Sequence, residues 1–193
     1  AAVTSMNCLK NPIGDDGLAT LVAAVEDSSV RSICGLTEGQ TTADFSNQNL
    51  EPFDCKIIAA EFGFRGFIAA VEAVAIGGNP IGSEGGATLL ETIKTSKLKT
   101  IDIGKPLPLQ QPYESDTLDL SETKMDPGHV LLLSWWLGTD AGAAVASLCC
   151  ANNPGMVGKL DRRGNLETPD AHAEVFKELT DSLKTSQVTE ADF

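Results

Sequence analysis

The chain repeats itself, and that repetition limits what it can fold into more than any other feature. Val3-x-x-Met6-x-Cys8-x-x-Asn11-Pro12-Ile13-Gly14 returns 68 residues on as Val71-x-x-Val74-x-Ile76-x-x-Asn79-Pro80-Ile81-Gly82. It opens a third time at Val145-x-x-Leu148-x-Cys150-x-x-Asn153-Pro154. The segment between the copies repeats as well: Thr42-Ala43-Asp44-Phe45-Ser46 matches Thr117-Leu118-Asp119-Leu120-Ser121, 75 residues later. The units run over about 3–70, 71–144 and 145–193, one array in all. Leu183–Val188 parallels Ile93–Leu98, which sets Ala191 and Phe193 where Ile101 and Ile103 lie. The sequence thus stops inside a predicted strand and reads as part of a longer array.

Alternation within each copy assigns the strands. Side chains of a strand point to opposite faces in turn, so Met6/Cys8, Val74/Ile76, Ile101/Ile103, Leu118/Leu120 and Leu148/Cys150 share an inward face. Asn11, Asn79 and Asn153 follow their strands and are expected to turn inward, satisfying backbone groups left open there. Pro12, Pro80 and Pro154 then set the turn. Acidic or capping residues, Asp15-Asp16 and Ser83-Glu84, open the helices that carry the chain back. Hydrophobic residues make up 42% of the chain but aromatics only 5%. Thin repeated layers need few rings, so the composition agrees with the repeat.

This pattern, L-x-x-L-x-L-x-x-N-x-I-G followed by a helix, resembles the leucine-rich repeat. The Gly-rich helix starts and the strand spacing, Cys8 to Gly35 and Ile76 to Ile103, resemble the ribonuclease-inhibitor type. The resemblance implies an α/β leucine-rich-repeat solenoid, a horseshoe fragment with a parallel sheet on its concave face and helices on its convex face. The connectors 35–42 and 104–117 are too short for a helix, and the longer 156–169 also departs from the pattern. Loops or hairpins are expected in all three.

The 27 acidic residues outnumber the 14 Lys and Arg, for a net charge of -13. That balance excludes a surface built to hold phosphate backbone. Val130–Leu137, the longest apolar run, is too short to span a bilayer. Five cysteines, an odd number, and no N-glycosylation sequon favour free thiols in an intracellular, reducing compartment, most simply the cytoplasm.

No catalytic constellation emerges. Gly77–Gly86 lacks the Lys-Ser/Thr of a phosphate loop, and its glycines fall on repeat positions. His129 and His172 have no partners at metal spacing and read as surface histidines. Cys149-Cys150 is adjacent on a strand, so its thiols point to opposite faces. No metal and no cofactor are expected.

The position between the two inward residues of each strand is more telling. Read along the chain it gives Asn7, Cys34, Asp44, Ala75, Asp102, Asp119, Cys149 and Asp192. Four are Asp, Glu122 and Glu190 join the same side, and Asp102 and Asp119 fall in consecutive predicted strands. An acidic face of this kind fits a basic segment of a partner protein, as the ribonuclease-inhibitor resemblance also implies; a merely solvated polar face is the alternative. Trp136 stands where Glu61 does in the preceding unit. It is read either as an exposed anchor for a partner or as a ring covered by the 156–169 connector. The functional expectation is a non-catalytic interaction scaffold. The alternative is an architectural subunit of a large assembly, held through its edges and an exposed Trp patch.

Overall fold

A computed structural model describes residues 2–63 and 66–193. Helix α1 (Gly14–Glu26) is followed by β1 (Thr42–Asp44), α2 (Pro52–Gly63), a 3-10 turn (Phe67–Ala70) and β2 (Ala73–Ala75). Next come α3 (Gly82–Thr95), β3 (Thr100–Asp102), β4 (Pro106–Pro108), β5 (Thr117–Asp119), α4 (Pro127–Leu137) and β6 (Ser147–Cys149). The hairpin β7 (Lys159–Leu160) and β8 (Leu166–Thr168), helix α5 (Ala173–Leu183) and β9 (Glu190–Asp192) complete the order.

The single continuous parallel sheet of a horseshoe solenoid is not formed. The strands fall into three separate sheets: β1-β2-β3-β4, β5-β6-β9, and the pair β7-β8. The first two sheets are parallel except for β4, and β7-β8 is antiparallel. The 104–117 connector supplies the physical reason. It turns at Gly104 (φ 123°) and folds β4 back onto β3, pairing Ile101 with Leu107, so β4 occupies the edge a further parallel strand would need. Pro106 and Pro108 carry no N–H, so the outer edge of β4 offers carbonyls but no donors at these positions. Strand β5 therefore starts a new sheet. At the N-terminal end only isolated bridges form, Ser5 with Ser32 and Asn7 with Cys34.

Core residues come from the inward strand positions and from the helices. Ile76, Ile103, Leu118 and Leu120 are completely buried, and from α2 and α4 so are Ile57, Leu133 and Trp136. Helices α2 to α5 pack side by side. Two glycines make the closest approach possible: a Cβ on Gly86 would lie 2.4 Å from the Gly128 backbone, and one on Gly128 would lie 2.5 Å from Gly82 O. The abutting starts of α3 and α4 thus require both.

Candidate functional site

The outward aspartates lie in two short rows. Register pairs Asp44 with Ala75 and Ala75 with Asp102 in the first sheet; in the second it pairs Asp119 with Cys149 and Cys149 with Asp192. Each row holds two carboxylates separated by one intervening strand, about 10 Å at the usual strand spacing. Asp102 and Asp119 are not on paired strands, contrary to the expectation from consecutive strands, because β3 pairs with β4 and β5 belongs to the second sheet. Repulsion across a row is roughly 0.4 kcal/mol in water at that distance, small enough for the folded chain to carry.

Local turns fix these carboxylates. Asp44 accepts the Ser46 N–H at 2.9 Å and the Ser46 hydroxyl at 2.6 Å; Asp102 accepts Gly104 N–H at 2.7 Å; Asp119 accepts Ser121 N–H at 2.9 Å. Asn7 makes the same turn through Leu9 N–H at 3.0 Å. The Asp-x-Ser/Gly spacing carries the signal for such turns, and a reading by strand position alone passes over it. The Ser46 hydroxyl and amide hold the Asp44 carboxyl below the ordinary carboxylate range, and Ser121 does the same for Asp119. Both therefore keep their charge in mildly acidic solution.

Among the described residues, none of Asp44, Asp102, Asp119, Glu122 and Asp192 takes part in an ion pair. Asp102 and Glu122 line one depression of about 280 Å³ between the two sheets, together with Thr123 and Lys124. Lys105 lies close enough to Asp119 to favour its charged form. Cys149 donates its thiol to Asp192, at 3.8 Å.

Trp136 does not belong to this surface or to any other. It is fully buried, its indole N–H donates to Pro108 O at 2.6 Å, and Tyr113 meets its ring edge-on at 5.7 Å. Neither the exposed Trp patch nor a cover from 156–169 is what the structure shows; the covering segment is the 104–117 connector. His129 is likewise buried rather than on the surface. Its Nδ1 lies 3.1 Å from the Asp126 amide and 2.8 Å from Asp126 Oδ1, and its Nε2 lies 3.2 Å from Ile76 O.

The motif asparagines occupy unequal environments. Asn79 is buried, accepts Gln48 and Leu50 N–H, and donates to Phe45 O and Ile76 O. Asn153 is buried with the corresponding bonds to Met125 N–H, Leu120 O and Cys150 O. Asn11 is exposed and donates only to carbonyls of its own turn, Cys8 O and Leu9 O. Two aspartates absent from the sequence reading share this cross-linking work. Asp54 accepts Lys10 N–H at 2.6 Å, and Asp126 accepts Gly82 N–H at 2.6 Å, each tying a helix start to the turn of the layer before it.

Among the described residues, no group of three His, Cys, Asp or Glu is placed to hold a metal ion, and no helix is long and apolar enough to cross a membrane. Burial pushes the Cys55 and Cys150 thiols up to about 12 and Cys34 higher still, so all three stay protonated at neutral pH. Comparisons with protein-family models and with curated proteins find no match for this chain.

Proposed function

We propose that the chain is a non-catalytic protein–protein interaction module that offers its acidic rows to a basic segment of a partner. The observation that carries this reading is the pair of rows itself: Asp44 with Asp102, and Asp119 with Asp192, each on a strand, the first three held by turn hydrogen bonds, and none in an ion pair among the described residues. Lys105 and Lys124 offset only part of this charge, and Glu122 adds to it. Fixed, unpaired carboxylates attract a polybasic segment without first having to break internal partners. The leucine-rich-repeat resemblance supports the same reading, because such repeats serve recognition. Five unpaired thiols support a reducing compartment inside the cell. No cofactor enters the reading.

Asn in place of Asp removes the charge while keeping the turn, as Asn7 shows in this chain. The test is therefore the quadruple variant Asp44→Asn/Asp102→Asn/Asp119→Asn/Asp192→Asn, titrated against an Arg/Lys-rich peptide by calorimetry at low and moderate salt. Tenfold or greater weakening, with salt dependence lost alongside, is the expected outcome. Equal affinity for parent and variant sinks the acidic-face reading.

A further inference from the structure

The turns that leave the strands build a second surface, opposite in sign to the aspartate rows. Each of the turns after β1, β2, β5 and β6 contributes a residue at positive φ to one groove of about 790 Å³: Asn49 (57°), Gly78 (70°), Lys124 (59°) and Asn152 (60°). Asn49 and Lys124 are equivalent in the repeat, as are Gly78 and Asn152. The β7–β8 hairpin, which departs from the repeat, adds Lys159 and Arg162 to the lining. Lys124 also borders the depression that holds Asp102 and Glu122, so the two surfaces meet at this residue.

Charge in the groove is unevenly committed. Its two carboxylates are given over to backbone amides. Asp126 accepts Gly82 N–H at 2.6 Å and Gly128 N–H at 2.9 Å, and Asp161 accepts Arg163 N–H at 2.7 Å and Asn165 N–H at 2.9 Å. Among the cations, Lys159 pairs with Glu167 at 3.2 Å. Lys124 and Arg162 are exposed and enter no ion pair among the described residues. Asn49 and Asn152 add exposed side-chain amides that can donate. What the groove offers a ligand is therefore positive charge and hydrogen-bond donors.

Much of the remaining lining is apolar, from Pro80, Pro127, Pro154 and Leu160. We propose that this groove takes an extended acidic segment of a partner protein. Its Asp or Glu carboxylates meet Lys124 and Arg162, and its small apolar side chains lie against the prolines. Alternation along an extended chain supplies both kinds of side chain at once. A phosphate group fits less well, because it would use the free amides of a helix start. The Asp126 carboxylate already accepts Gly82 N–H of α3 and both Gly128 and His129 N–H of α4. An extended segment needs neither helix start, since side chains supply its charge partners.

Fluorescence anisotropy with a labelled peptide of alternating Glu and Val, and a Gln–Val peptide as its control, tests this. The repeat itself supplies tolerated substitutions: Asn49 holds the place of Lys124, and Lys10 (φ 62°) holds that of Asn152. The parent chain is expected to bind the Glu peptide and not the Gln peptide. Lys124→Asn/Arg162→Gln is expected to weaken binding roughly tenfold, and Asn49→Lys/Asn152→Lys to strengthen it by about the same factor. A gain cannot come from misfolding, so the second variant decides the matter should the first be unstable. A parent chain that binds neither peptide, or both equally, overturns the proposal, as do affinities that neither variant changes. So does inorganic tripolyphosphate that displaces the label at a lower concentration than unlabelled peptide does, which would mark a phosphate site instead.

Discussion

Helices α2 and α4 occupy equivalent places in the repeat, yet they grip the neighbouring chain with opposite chemistry. On α2 the gripping residue is Glu61, whose Oε2 accepts the Ile33 and Cys34 N–H groups at 2.7 and 3.1 Å. On α4 the matching residue is Trp136, whose indole donates to Pro108 O. The segment being held decides which chemistry works. Ile33 and Cys34 turn their amides toward the helix, so the helix must supply an acceptor. The outer edge of β4, with its two prolines, presents carbonyls, so the helix must supply a donor. One repeat position thus holds residues of different size, charge and polarity, because each matches the hydrogen-bonding needs of the loop beside it.

The α4 grip gives the larger effect. Trp136→Ala removes a fully buried ring and leaves Pro108 O without its donor, and the expected cost is about 3–5 kcal/mol. Trp136→Phe separates the two contributions, because it keeps most of the volume and loses only the N–H. A chemical denaturation series on both variants reads the difference; a Trp136→Phe variant as stable as the parent would show that the hydrogen bond contributes nothing.

Next comes α2. Glu61→Ala leaves the buried Ile33 amide without an acceptor and Cys34 N–H with only the Ser32 hydroxyl at 3.2 Å, a cost of roughly 1–3 kcal/mol partly offset by release of a buried carboxylate; a net loss of about 1–2 kcal/mol is expected. Glu61→Gln retains an acceptor and removes the charge. The second Glu61 oxygen, Oε1, has no hydrogen-bond partner among the described residues, and burial raises the pKa of this carboxyl above the ordinary value. A carboxylate with a raised folded pKa favours the fold most when protonated, below its unfolded value of about 4.3. That advantage is lost as pH rises through the folded value. The stability of Glu61→Gln relative to the parent should therefore increase with pH over this window and level off above it. Parallel pH–stability curves for the two proteins would refute the assignment.

The smallest contrast is between Asn79→Ala and Asn11→Ala. The first strips a buried amide of its cross-layer bonds and should cost about 1–3 kcal/mol. The second removes an exposed side chain bonded only to its own turn, and should change stability by less than about 0.5 kcal/mol. Thermal midpoints measured side by side check the ranking.

Much of the local structure was legible from the repeat. Period-two alternation picks out Val74/Ile76, Ile101/Ile103 and Leu118/Leu120, and the structure seats these side chains in the core. What alternation cannot reveal is which strand edges stay available for pairing. Here that depends on a fold-back at Gly104 and on the missing donors of Pro106 and Pro108, so the expected continuous sheet divides. The acidic positions follow from strand phase, but their grouping does not, since β3 pairs with β4 rather than with β5. Trp136 stands out in the alignment as an anomaly. Its cover comes from a hairpin whose path no side-chain pattern encodes. His129 escapes notice for a related reason: its partner Ile76 O lies in another layer, 53 residues away.

The strands of the two larger sheets span only three residues each, so their ladders are short and the turns carry much of the stitching. Asp54 reaches Lys10 N–H, Asp126 reaches Gly82 N–H, and Asn79 reaches Gln48 and Leu50 N–H. Surface turns ordinarily absorb added or deleted residues with little harm. In this chain a single insertion between Asn79 and Gly82 would carry an amide away from the carboxylate waiting for it. An insertion at the hairpin tip Asp161–Gly164 is expected to be milder, because the bonds it would break, from Arg163 and Asn165 to Asp161, stay within one loop and join no two layers.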